Sequence, residues 1–132
     1  MPTVATAEFA ITSWEVVETD ETPPNPKMTR TIVKKTFTGA LAGSSVAELL
    51  TCETESGGAG YLAMERVEGA LDGIAGTFVI QHGGLYDAAT GKSTPYGAIV
   101  PGSATGDLAG LRGSAEYRHD DAGAILTLHY DR

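Results

Sequence analysis

Apolar and polar residues alternate with a period of two along most of this chain, the pattern of strands buried on one face. Read between turn signals, the alternation predicts eight strands near 4–16, 28–38, 44–55, 60–69, 75–87, 92–100, 112–119 and 124–131. A pentapeptide, GxLxG, recurs between such stretches: Gly39-Ala-Leu41-Ala-Gly43, Gly69-Ala-Leu71-Asp-Gly73 and Gly106-Asp-Leu108-Ala-Gly110. Each copy reads as a tight connection between neighbouring antiparallel strands. Its glycines suit positive φ or close backbone approach, and its leucine can turn inward to plug the end of a core. The stretch Asp20-Glu-Thr-Pro-Pro-Asn-Pro26 cannot join a ladder, because its prolines lack donors, so it is expected as a polar loop, placed to serve as a lid over one barrel mouth. Ser56-Gly-Gly58 and Asp120-Asp-Ala-Gly123 supply further hairpin turns. Eight antiparallel strands must hide their edges, and closure removes them. The expectation is all-β: one domain, 1–132, forming a closed eight-stranded antiparallel up-and-down barrel with a central cavity for side chains or one small ligand.

Composition narrows the partners. A formal charge of −8, with no Lys/Arg cluster, repels a phosphate backbone, so nucleic acid is not expected. The single Cys52 cannot form an intrachain disulfide, and the segment Met1 to Glu8 lacks the basic region and apolar run of a secretory signal. No apolar run approaches the roughly 20 residues that span a bilayer. These features predict a cytoplasmic protein without a membrane partner.

Candidate chemistry follows from the strand faces. Val33, Lys35 and Phe37 share one face of the second strand, and Val46, Glu48, Leu50 and Cys52 one face of the third. Tyr61, Ala63, Glu65 and Val67 do so in the fourth, and Phe78, Ile80, His82 and Gly84 in the fifth. If these stripes point inward, Lys35, Glu48, Glu65 and His82 stand among hydrophobic walls. The opposite face of the third strand, Ala47, Leu49, Thr51 and Glu53, is nearly as apolar. Glu65 and His82 are the expected catalytic pair, since an apolar cavity raises a carboxyl pKa and lowers that of an imidazole toward neutrality. Lys35 would hold a carboxylate or enolate. Tyr61, Tyr86 and Tyr96 would orient a substrate oxygen, with Glu48, Cys52, Phe37 and Phe78 completing the binding wall. The structural alternative pairs Glu65 with Lys35 and leaves His82 bonded to a neighbouring strand. His82, His119 and His129 lack metal-ligand spacing, Gly102 to Gly106 lacks the lysine of a Walker loop, and there is no GxSxG elbow. Neither a metal nor a cofactor is expected.

Phe37-Thr-Gly39-x-Leu41-x-Gly43, Glu65-Arg66-x-x-Gly69, Gly76-x-Phe78-x-x-Gln81-His82-x-Gly84 and the segment from Pro101 to Gly113 together resemble the bacterial DUF3224 family, over about Phe9 to Tyr130. That family looks like the allene oxide cyclase-type β-barrels. Where the resemblance leads one to expect a tryptophan, four residues before the Pro-Gly-Ser turn, this chain has Gly97, with Pro95 and Tyr96 beside it. The resemblance implies a barrel and, by fold relatives, cofactor-independent isomerisation or cyclisation of a hydrophobic oxygenated substrate such as a polyketide, polyene or fatty-acid epoxide. Two further readings stand beside it: a non-catalytic lipocalin-like protein that binds a hydrophobic metabolite, and a structural subunit with a filled barrel. A homo-oligomer, most simply a homodimer, is expected.

Overall fold

In the computed structural model, which describes residues 2–132, the described residues form nine strands and no helix. They are β1 (Thr3–Asp20), β2 (Lys27–Gly39), β3 (Leu41–Glu53), β4 (Ala59–Leu71), β5 (Ile74–Asp87), β6 (Lys92–Ile99), β7 (Thr105–Gly106), β8 (Arg112–Asp120) and β9 (Gly123–Asp131). Consecutive strands pair antiparallel from β1 to β6, β6 pairs with β8, β8 with β9, and β9 returns to β1. Eight strands therefore close into a barrel, and the two-residue β7 lies outside it against β5. The eight alternating segments all form. The additional strand, β7, is too short to carry a period.

One end of the barrel is closed. Leu41, Leu71 and Leu108, the central leucines of the three pentapeptides, are fully buried beside Leu111, Phe37 and Phe78. The corners are tight for two different reasons. Asp72 and Gly73 both have positive φ, 49° and 82°, as a two-residue hairpin turn matched to strand twist requires. Gly69 instead faces Gly43 across the ladder, and a Cβ there would stand 2.2 Å from the Ala42 carbonyl oxygen. Side chains are excluded from this glycine pair, and the buried leucines fill the adjoining end of the barrel.

The other end is open. The pairing of β1 with β9 stops at Glu8↔Ile125, while β1 continues to Asp20 as a bulged ribbon with β2. This is why β1 outruns the predicted 4–16. The loop after it does not cover the mouth; Trp14 and Val16 of β1 lie there instead. Between β6 and β8 the ladder has the single pair Ala98↔Ser114. Among the described residues, no helix is long and apolar enough to cross a membrane.

Candidate functional site

Antiparallel register decides which side chains meet. Ala47 pairs with both Val33 and Glu65, so Ser45, Ala47, Leu49 and Thr51 share the inner face with Lys35 and Glu65. The expected face of the third strand is thus reversed. Val46, Glu48 and Leu50 point outward, and Glu48 forms an exposed ion pair with Arg30 at 3.1 Å. The pattern misleads because exposed Val46 and Leu50 make the outer face as apolar as the inner one. The faces expected for β2, β4 and β5 hold: Lys35, Glu65 and His82 are all buried.

These three converge on one point. Glu65 Oε1 accepts hydrogen bonds from His82 Nε2 at 2.9 Å, from the Tyr117 hydroxyl at 2.8 Å and from Lys35 Nζ at 3.2 Å. Its Oε2 accepts from the Ser45 hydroxyl at 2.5 Å. Burial pushes the Glu65 carboxyl up, but the His82 bond, the Lys35 charge and the bonds from Ser45 and Tyr117 outweigh it and hold the pKa at about 2. The expected rise toward neutrality is overturned: burial does raise this carboxyl, yet four donors more than reverse it. Glu65 is an anion throughout the physiological range. Because a carboxylate only accepts, Nε2 of His82 carries its proton, leaving Nδ1 for the Tyr61 hydroxyl 3.0 Å away. Burial and the Glu65 charge raise the pKa of Tyr61, and the same two causes raise that of Tyr117 well above the usual value.

A cavity of about 720 Å³ opens above this cluster, with Lys35, His82, Tyr61 and Tyr117 at its floor. Phe9, Val33 and Leu49 form apolar walls, Thr29, Thr31 and Thr51 add hydroxyls, and Trp14, Leu85 and Tyr86 edge the mouth. The Lys35 ammonium sits 5.0 Å from the ring centre of Phe9 and 4.7 Å from that of Tyr117. Among the described residues no buried side-chain nitrogen or oxygen lacks a partner, and no cluster of three metal-binding side chains occurs.

The remaining candidates separate by depth. Tyr61 and Tyr86 line the cavity, and half-buried Cys52 lies at its rim. Phe37 and Phe78 belong to the core of the closed half, below the cavity, because their positions on β2 and β5 lie beyond Lys35 and His82 toward the leucine plug. Tyr96 is on the outer face, where its ring covers Gly83 in the ladder register Gly83↔Tyr96. Gly97 has no room for a side chain: its Cβ would stand 2.6 Å from the Ala115 carbonyl oxygen. Sequence reasoning missed Ser45, which lies on the face of the third strand not favoured, and Tyr117. Tyr117 had a signal, the alternation of Ala115, Tyr117 and His119 with charged Glu116 and Arg118.

A family model described as "Protein of unknown function (DUF3224)" matches residues 5–131. The crystal structure of a protein of unknown function from the DUF3224 family of Shewanella oneidensis MR-1 is similar, with 28% sequence identity and a TM-score of 0.89 over 99% of this chain and 97% of that one. No curated protein matches at a significant level.

Proposed function

Because the chain belongs to the DUF3224 family, whose description leaves its function open, the role must be read from the cavity, and we propose a cofactor-independent isomerase or cyclase. Its substrate would be a hydrophobic, oxygenated small molecule: a polyketide, a polyene or a fatty-acid epoxide. One observation carries this reading, the Glu65–His82–Tyr61 chain that starts at a buried carboxylate and ends at a hydroxyl facing an apolar cavity. Tyr61 would take a proton from substrate carbon while passing its own to His82 Nδ1, and the fixed Glu65 anion would stabilise the resulting imidazolium. The proton then returns to a different atom of the substrate, so an isomerisation balances without a co-reactant. Glu65 acts here as a positioning residue, and Lys35 keeps it ionised. The cavity walls would hold a flexible substrate in its reactive conformer.

A second reading, a lipocalin-like binding protein, is favoured by the saturation of Glu65, whose four donors also make a satisfied structural hub. Solvent deuterium exchange at the α-carbon of a panel of apolar ketones separates the two. Exchange by the wild type that is lost in Tyr61→Phe and His82→Gln supports the enzyme; tight binding without exchange supports the carrier. A cytoplasmic setting and a homodimeric assembly belong to the same proposal.

A further inference from the structure

The cation that an acidic ligand would need is already engaged. Lys35 Nζ is 3.2 Å from Glu65 Oε1, and the lysine side chain is only 8% exposed. The rings of Phe9 and Tyr117 occupy two other sides of the ammonium. Among the described residues, no second cation stands at the floor. Lys27 is at the rim, directly opposite Glu53 in the ladder, and His82 is committed through Nε2 to Glu65. Formal charges around the cavity therefore cancel in pairs, in a chain of formal charge −8. Apart from that rim pair and the exposed His119 imidazole, the polar side chains of the lining not tied to Glu65 or His82 are hydroxyls, those of Thr29, Thr31 and Thr51 foremost.

Building on the reading of this cavity as a ligand site, we propose that it selects molecules with an uncharged oxygen head, a ketone, enone, lactone or epoxide on an apolar body, and excludes the matching carboxylates. A carboxylate at the floor would be a second anion sharing one buried cation, so it would lose its hydration without gaining a partner. The negative field of the whole chain adds to that penalty. A neutral oxygen needs only one donor, which the threonines supply, since the two bonds among Thr29, Thr31 and Thr51 use two of their three hydroxyl protons. Among the substrate classes above, an epoxide or polyketide carbonyl reaches the threonine hydroxyls of the inner wall, and any carboxylate stays at the mouth.

Methyl decyl ketone and undecanoate test this directly, since they differ only by a methyl group exchanged for a charged oxygen. Each is titrated at neutral pH against Nile red bound to the wild-type protein. The ketone is expected to displace the dye at a concentration lower by about tenfold or more, as burial of an unpaired charge demands. Equal or tighter displacement by undecanoate overturns the selectivity while leaving the cavity as a ligand site. Failure of both to displace the dye, or of the dye to bind, removes the ligand-site reading and the selectivity with it. Glu65→Gln frees the Lys35 charge and should narrow or reverse the preference. The double variant Lys35→Met/Glu65→Gln removes both charges together and should keep it; a double variant that gains undecanoate binding counts against the proposal, even if Glu65→Gln alone fails to fold.

Discussion

At the scale of single residues, the energetics centre on one buried ion pair with satellites. Glu65 and Lys35 are both shielded from water, so removing one partner strands the other charge. Glu65→Gln should lower stability by about 3–5 kcal/mol, whereas Lys35→Met/Glu65→Gln should recover much of the loss, because no unpaired charge is then left buried. Urea denaturation of the three proteins checks this. Acid dependence follows from the same group. The Glu65 pKa is depressed from 4.5 to about 2, so its stabilisation is complete above 4.5 and is lost as the pH falls toward 2. Glu65→Gln should flatten the acid limb of the denaturation midpoint over that window, and an unchanged limb would refute the assignment. The tyrosines act on the other side. Tyr61 and Tyr117 have raised pKa values, so folding is favoured below 10.0 and stability falls as the pH rises beyond it. Tyr117→Phe should soften that alkaline limb.

At the scale of elements, the two kinds of glycine corner make separable predictions. Gly69→Val forces a Cβ into the Ala42 carbonyl and should cost more than about 3 kcal/mol, since the obstructing atoms are β3 backbone and cannot turn aside as a flexible side chain would. Gly110 has φ of 90°, but nothing lies within 4 Å of where a methyl group would stand, so Gly110→Ala meets only conformational strain and should cost about 1 kcal/mol. Leu108→Ala should cost about 2–5 kcal/mol through the cavity left in the plug. Thermal or urea midpoints of the three variants rank the effects. The strands themselves are legible where buried and solvent-facing positions alternate, as they do in β2, β4 and β9. The third strand defeated the pattern: its inner and outer faces differ little in polarity, and only the register set by the Gly39-Ala40 corner distinguishes them. The same ambiguity hid Ser45, while Tyr117 escaped because its contact with Glu65 joins strands 52 residues apart in sequence. Local pattern reports which side of a strand is buried; it does not report what the far wall brings to meet it.

For the whole molecule, division of labour between the two ends is the main architectural result. The closed half carries the leucine plug and aromatic core, and the open half carries the cavity, with the Glu65 cluster at their boundary. Apolar side chains also stand on the outside, including Val46, Leu50, Leu62 and Met64 on the outer face of β3 and β4, each about half exposed. A homodimer would cover such a surface, and light scattering in the micromolar range should give twice the mass of one chain. The single-chain mass would rule that assembly out.

The sparse seam between β6 and β8 gives the barrel an uneven resistance to opening. The β4–β5 ladder is unbroken from Ala59↔Tyr86 to Leu71↔Ile74, whereas β8 forms with β6 the single ladder pair Ala98↔Ser114. Amide hydrogen exchange should therefore be slowest along β4 and β5 and fastest for the β8 amides beyond Ser114 that face the seam. Since β8 also carries Tyr117, each local parting there would uncover the carboxylate hub from the side, letting a bound molecule come and go without unfolding the plugged half.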